Sequence, residues 1–463
     1  MARIDDARPR PSASDLPRVA VVGAGPAGLA ALVELTHAGI DAHGFEVADR
    51  VGGLWAYGGP LSGAYRSLHL NTSRARTQLA RHPMPEDWPD YPSHARIGEW
   101  LQSYAETGAV ADRISLSTPV EHATRLEDGG WELELGGARA GERERFDALV
   151  VASGHNWDPR LPDPPYPGTF DGTQVHAHDY REPEILADRR VLVVGIGNSA
   201  MDIAVESSTV ARRTFLSTRR GTRIVPKYVF GKPADQTTSP LMARLPWQLR
   251  QPLTHAILRL AVGRPEIYGL PAPSHGFLRG HPTISDAILS RLTHGEIEPK
   301  PGIAELAGDE VRFTDGTSAA VDVIVWCTGY TVSVPYIDTD VLGAQPADLS
   351  LYKRIFHHEL DDVFFIGLVQ TTGSAIPVVE RQSALLADYL TGRYGLPDAA
   401  RRRADADKRA RAAAKRYGEH GRPHLRVEFD GFMRELASEL KKGRRRAPGV
   451  PPLRRREPTK ARA

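Results

Sequence analysis

Val19-Ala20-Val21-Val22 is a short, unbroken apolar run ended by glycine, the pattern of a strand buried on both faces of a parallel sheet. Behind it Leu29, Leu32, Val33 and Leu35 recur at helical spacing between Ala27 and His37, Gly39 supplies a stop, and Ala42 to Val47 returns to strand character. That is one βαβ unit. A second begins at Val191-Leu192-Val193-Val194, passes through glycines into a helix from Ser199 to Ser207, and reaches a strand at Thr214 to Ser217. Two further apolar runs, Val321 to Val325 and Val363 to Ile366, end in glycine-containing turns and are expected to return and complete the first sheet, which makes the second unit an insertion. The fold class is therefore α/β, with two Rossmann-like dinucleotide-binding domains, one inserted into the other.

The connections are polar or proline-dense. Asp158 to Pro167 links the two units, and Pro240 to Val262 reads as helix broken at Pro246 and Pro252, with Arg244, Arg250 and Arg259 arguing against a membrane role. Asp398 to Lys415 reads as a solvated helix, and Lys441 onward as a basic, disordered tail. The expected division is a disordered leader over 1–17, a first domain over 18–187 and 320–396, a second over 188–319, and a helical then basic tail over 397–463.

At 463 residues and 41% hydrophobic composition, the chain is long enough for two or three cores. No apolar stretch approaches the roughly 18–20 residues that span a bilayer, and Met1 to Pro17 has no signal-peptide core, so the expected location is cytoplasmic, with no membrane partner. The net charge of +2 conceals a basic tail: Lys441 to Ala463 carries ten Lys and Arg against a single acid. Such a tail does not by itself indicate nucleic acid, and none is expected as a partner. Cys327 is the one cysteine, which excludes an internal disulfide, a redox-active cysteine pair and a cysteine-based zinc cluster. His176 and His178 share a strand face but lack a third ligand, and no metal is expected.

Gly23-x-Gly25-x-x-Gly28 follows a strand and opens a helix. The first glycine makes the tight turn, the second lets backbone approach a pyrophosphate, and the third permits close helix packing. Glu46 ends the next strand about 20 residues on, where a carboxylate accepts hydrogen bonds from an adenosine ribose. Gly195-x-Gly197-x-x-Ala200 repeats the turn, with alanine at a position that tolerates it. Its second strand ends in Ser217-Thr218-Arg219-Arg220, and Thr218, Arg219 and Arg220 suit the 2′-phosphate of NADPH where a carboxylate would repel it. Two dinucleotide sites in one chain imply hydride transfer from a nicotinamide to a flavin. Without a cysteine pair, reaction of the reduced flavin with oxygen becomes the leading use of those electrons.

Phe170-x-Gly172-x-x-x-His176-x-x-x-Tyr180-Arg181, just before the second glycine turn, resembles the fingerprint of the flavin-containing monooxygenases. Gly52-Gly53-Leu54-Trp55, Asn71-Thr72-Ser73, Pro83 to Asp87, Gly197-Asn198-Ser199 and Thr328-Gly329-Tyr330 extend the resemblance over residues 18 to 395. Tyr180-Arg181 at the end of the fingerprint, in place of Trp followed by Pro or Asp, separates the chain from the related Baeyer–Villiger enzymes and favours heteroatom oxygenation. The resemblance implies FAD contacts at Gly23, Ala24, Gly25, Pro26, Ala27, Glu46, Leu54, Trp55, Asn71 and Thr72. It implies NADP contacts at Leu70, Asn71, Ser199, Ala200, Met201 and Asp202, beside Gly28, Gly195, Gly197 and Asn198 of the two turns. Asn71 takes the one catalytic role, its amide lying near flavin and nicotinamide and helping to hold an oxygenated flavin, a C4a-hydroperoxide. His176 reads as structural, bonding the linker between domains.

The implied partners are a small-molecule amine or sulfide and molecular oxygen. The alternatives are a Baeyer–Villiger or N-hydroxylating enzyme, an NADPH oxidase, or a binding protein that has lost catalysis. The oligomeric state is left open, a homodimer included. The substrate pocket is expected from Trp55 to Arg66, Val225 to Gln236 and the loop after Tyr330, and Phe364 to Gln370 is expected to approach the flavin, followed by a helix whose amino-terminus faces the ring.

Overall fold

The computed structural model describes residues 14–237, 256–257, 259–260, 262–273, 283–417 and 424–456. Two five-stranded parallel sheets organise it. In the first, the order is Val363–Phe365, Ala148–Val151, Arg18–Val22, Asp41–Phe45 and Ile114–Ser115. In the second, it is Thr173–His176, Val323–Trp326, Arg190–Val194, Arg213–Ser217 and Ile297–Lys300. The central strands are buried at nearly every position, which is why both read as continuous apolar runs.

Two expectations about the sheets are corrected here. The run at Val321 to Val325 does not complete the first sheet: Val323–Trp326 lies between Thr173–His176 and Arg190–Val194 in the second. Thr173–His176, expected in the first domain, is likewise an edge strand of the second sheet. An apolar run records burial on both faces and carries no information about which sheet buries it. Val363–Phe365 does join the first sheet, beside Ala148–Val151.

Pro26–His37 and Asn198–Val210 are the helices that follow the two glycine turns. Pro26–His37 packs against Ile376–Leu390, and both contribute to one buried cluster with the first sheet. Two further sheets, one antiparallel and one mixed, are added that were not expected. One, Val120–Arg125, Trp131–Leu135 and Arg143–Phe146, grows out of the first lobe. The other places Gly168–Phe170 beside a meander over residues 303–320.

From Lys441 to Arg456 the carboxyl-terminal region is also ordered where disorder was expected, and residues 457–463 lie outside the described residues. Phe429–Arg446 is one helix that includes Lys441 to Arg446. Beyond it Leu453 donates its amide to the Leu390 carbonyl at 3.1 Å, and the Arg456 amide bonds Asp147 Oδ1 at 2.8 Å. Leu436 and Phe432 on this helix are buried in the first-lobe core, which supplies the apolar area that fixes an otherwise basic segment. Ala399–Tyr417 is helical as expected but not wholly solvated: Asp405 and Arg409 are engaged with Lys353 and Glu435. At the other end Leu16 is buried, whereas residues 1–13 of the expected leader lie outside the described residues, as does most of Pro240 to Val262. No helix among the described residues is long and apolar enough to cross a membrane.

Candidate functional site

The first glycine turn works by close approach. Gly23 has φ +101°, and a Cβ there would lie 2.7 Å from the Ala152 carbonyl oxygen. A Cβ on Gly28 would sit 1.7 Å from the Gly23 carbonyl oxygen, so the helix can only start this close to the strand without a side chain. Gly52 and Gly53 let a second loop settle on the turn: the Gly52 amide bonds the Ala24 carbonyl at 3.0 Å, and a Cβ on Gly53 would meet Gly25 Cα at 2.9 Å. The short turn Gly53–Trp55 that follows carries Leu54 and Trp55 over the mouth of the helix.

Glu46 stands at the end of the neighbouring strand and is buried, with Oε2 accepting the Ala24 amide at 2.6 Å and Oε1 the Ala48 amide at 3.0 Å. Burial pushes its carboxyl above the ordinary carboxylate range, and the backbone N–H donors oppose that shift. The residue thus props the glycine turn and presents its carboxylate to the cavity beside it.

That cavity has a volume of about 1580 Å³ and lies between the two lobes. Of the residues expected to hold a flavin, Gly23, Gly25, Pro26, Ala27, Glu46, Leu54, Trp55, Asn71 and Thr72 line it. So do Leu70, Gly197, Asn198, Ser199, Ala200, Asp202 and Arg220, from the set expected to hold a nicotinamide nucleotide. Six others stand behind the wall. Ala24 and Gly28 shape the first turn from within, and Gly195, at φ +142°, would drive a Cβ to 2.4 Å from the Cys327 carbonyl oxygen. Met201 is fully buried in the second-lobe core, and Thr218 is buried with its amide on the Lys300 carbonyl. Arg219 is exposed with its stem against Gly302 and does not line the cavity.

The cavity offers what a dinucleotide needs. Two helix amino-termini open onto it, at Pro26 and Asn198, where unpaired N–H groups and the dipole favour phosphate. A Cβ on Gly197 would meet nothing within 4 Å, so the second turn faces open space. Trp157 Nε1, on a lining residue, is buried without a hydrogen-bond partner among the described residues.

Between the lobes, Tyr65 donates its hydroxyl to Asp202 Oδ2 at 2.6 Å. Burial raises both groups, Tyr65 well above the ordinary tyrosine value, so the phenol stays protonated and is the donor. Burial also pushes Tyr330 up to about 12 and lowers His176 and His178 below the ordinary histidine value. His176 Nδ1 accepts the His178 amide at 3.0 Å, and both rings meet Tyr330 edge-on, which makes them packing elements of the linker. Among the described residues no three His, Cys, Asp or Glu side chains converge on a metal-sized site.

Sequence reasoning missed several walls of the cavity. Of the segment Phe364 to Gln370, Gly367, Val369 and Gln370 line the cavity, and the helix expected after it begins at Ile376 with its amino-terminus at the cavity; the connecting residues Thr371 to Ala375 are wall that was not anticipated. Arg426, Glu428, Phe429 and Asp430 close the far side, brought there because Arg426–Val427 pairs in parallel with Gln370–Thr371 and Asp430 accepts Arg76 at 2.7 Å. Leu425, Val427 and Phe429 alternate with Arg426, Glu428 and Asp430, a strand signal the sequence reading passed over, but the pattern does not name the segment it joins. Parts of each expected pocket segment line the cavity, among them Ser62, Tyr65, Val225, Phe230, Asp235 and Tyr336.

A family model described as flavin-binding monooxygenase-like matches residues 16–453. Flavin-containing monooxygenase 5 of Homo sapiens is 31% identical over 438 residues, covering 91% of this chain and 82% of the relative. Dimethylaniline monooxygenase (N-oxide-forming) 2 of Rattus norvegicus is 32% identical over 444 residues with the same coverage. Among solved structures, S-allyl-L-cysteine S-oxygenase from Allium sativum matches with a TM-score of 0.69 at 24% identity, over 92% of this chain and 89% of that one. Cyclohexanone monooxygenase matches with a TM-score of 0.70 at 18% identity, over 93% and 98%. At those identities the structural likeness is one of fold.

Proposed function

The chain belongs to the flavin-binding monooxygenase-like family, an oxidoreductase family with a flavin cofactor, and from that premise we propose an FAD- and NADPH-dependent monooxygenase acting on a nucleophilic nitrogen or sulfur of a small molecule. The observation that carries this reading is the convergence of both glycine turns on one cavity, since hydride can pass only between rings that share a space. FAD would be held by the turn Gly23–Gly28, Glu46, Leu54, Trp55 and Thr72, and NADPH by Gly197 to Ala200 and Arg220. Once bound and reduced, the flavin supplies the chemistry, activating dioxygen and delivering one of its atoms to the substrate.

The residues of this chain bind, orient and exclude water. The helix amino-termini at Pro26 and Asn198 take the phosphates. Asn71 is exposed to the cavity on the loop between Leu70 and Thr72, and we assign its amide to the reacting centre as a hydrogen-bonding group. Tyr65 and Tyr330, whose hydroxyls burial pushes up, keep their protons rather than trade them with solvent, which favours productive oxygen transfer over release of hydrogen peroxide.

The test is product analysis of the purified protein with NADPH and labelled dioxygen, offered a tertiary amine, a thioether and a ketone. An N-oxide or S-oxide carrying one labelled oxygen per NADPH is expected. An ester from the ketone, with neither heteroatom product, would replace this reading by ketone insertion, and peroxide alone would replace it by an oxidase.

A further inference from the structure

Asn71 does not stand on the first lobe alone. Ser73, two residues on and fully buried, donates its amide to Asp235 Oδ2 at 2.6 Å, and its hydroxyl accepts Gln236 Nε2 at 2.9 Å. Asp235 and Gln236 lie in the short turn Ala234–Gln236, 162 residues away from Ser73 for the closer pair, in the chain segment that follows the second glycine turn. That turn is braced by the Ala234 amide on the Lys227 carbonyl at 2.8 Å, while Tyr91 donates to the same carbonyl at 2.6 Å and Tyr228 to Asp90 at 2.7 Å.

The other bonds around Asn71 come from the first lobe. The Leu70 amide meets the Pro92 carbonyl at 3.0 Å and the Arg74 amide the Asp90 carbonyl at 2.7 Å. Ser73 is thus where the second lobe grips the loop. Asp235 Oδ1 is buried with no hydrogen-bond partner, which leaves the Ser73 amide as the carboxylate's single hydrogen bond among the described residues. A hydrogen bond to an ionised carboxylate is about twice as strong as a neutral one, so the contact is held from both ends.

We infer that Asp235, seconded by Gln236, is a positioning residue for Asn71: acting through Ser73, it fixes the Asn71 amide relative to both lobes. The inference rests on the role proposed above for Asn71. Loss of the grip leaves Asn71 free to swing from the reacting centre, and reducing equivalents then leave as hydrogen peroxide instead of oxygenated product.

The experiment has two arms. Hydrogen exchange at the Ser73 amide is followed in the purified full chain for wild type, Asp235→Ala, Asp235→Asn and Gln236→Ala. Exchange is expected to quicken about tenfold or more in Asp235→Ala, to stay within about threefold of wild type in Asp235→Asn, whose amide oxygen still accepts, and to fall between in Gln236→Ala. In the second arm, the share of NADPH that ends as hydrogen peroxide in the presence of a thioether is expected to rise about threefold or more in Asp235→Ala and to return toward wild type in Asp235→Asn, with the thioether KM moving less than the product kcat. Equal exchange in wild type and Asp235→Ala overturns the inference, as does faster exchange with an unchanged peroxide share. A wild type that forms no oxygenated product overturns the proposed function, and the positioning role with it; that failure is distinguished by an exchange difference that persists.

Discussion

At the scale of single residues, the two arginines after Arg213–Ser217 show how one position decides a role. Both satisfy the rule that a cation at this strand end suits a 2′-phosphate, but only Arg220 lines the cavity, while Arg219 lies out against Gly302. Both lie in the bend beyond the strand end, where the backbone path rather than the residue type decides which one faces the cavity. Charge-assisted bonds to phosphate contribute about 1.5–3 kcal/mol, so Arg220→Ala is expected to raise the KM for NADPH roughly ten- to a hundredfold and that for NADH far less. Arg219→Ala is expected to change either by less than about threefold. Steady-state kinetics with both nucleotides checks this, and a larger effect from Arg219 would reverse the assignment.

At the scale of elements, the carboxyl-terminal helix pair is tied to the first lobe by a charged junction. Lys353, 4% exposed, sits 2.9 Å from Asp405 and 2.8 Å from Glu435, and Arg409 bonds Asp405 at 2.9 Å. Lys353 and Arg354 both have positive φ, at 53° and 59°, and the buried Gln382 amide holds that strained turn through their two carbonyls. Burial opposes the charge on Asp405, but the bonds from Arg409 and Lys353 outweigh it and set its carboxyl below the ordinary range. A depressed folded value adds stability that is complete above the unfolded value of about 3.9 and is lost as pH falls below it through the folded one. Acid unfolding of wild type and Asp405→Asn should therefore differ most at neutral pH and converge below about pH 4. Curves that stay apart at low pH would assign the effect to packing. Asp405 is about a third exposed, so solvent screening keeps the difference modest.

The same element shows what the sequence makes legible. Glycines with fixed spacing after an apolar run can be read directly, because turn, close approach and helix start are local demands, and Pro26–His37 and Asn198–Val210 lie where those demands put them. Trp131, Leu133 and Leu135 alternate with Glu132 and Glu134, a strand signal that was present but overlooked. Thr173–His176 offers no such pattern and becomes a strand because Val323–Trp326 presents a free edge to it, and the alternation around Arg426–Val427 does not say that its partner is Gln370–Thr371; both pairings are facts of tertiary structure. The grip of Asp235 on Ser73 belongs to that class as well, since no local rule relates residues so far apart in the chain.

At the scale of the whole molecule, the cavity makes the two lobes one thermodynamic object. Its walls come from both sheets' turns, from the interlobe bond of Tyr65 to Asp202, and from Arg426 to Asp430 of the carboxyl-terminal region. A ligand that binds only the folded protein stabilises it by about 2.7 kcal/mol at a hundred times its Kd. For ligands in separate lobes those increments would add. If FAD and NADPH share this one cavity as proposed, binding of one should lower the cost of ordering for the second, and linkage requires the effect to be mutual. The expected outcome is that FAD and NADP⁺ together raise the unfolding temperature by more than the sum of their separate shifts. Scanning calorimetry on the four states, with neither, either or both added at fixed multiples of Kd, measures it. Tyr65→Phe, which removes the hydroxyl that bridges to Asp202, should reduce the excess while leaving the shift from FAD alone nearly intact, because Gly23, Glu46 and Thr72, the residues proposed to hold FAD, are not partners in that bond. Strictly additive shifts in the wild type would mean that the lobes respond to their ligands independently, and would place the coupling that hydride transfer needs in the ligands' own contact rather than in the protein.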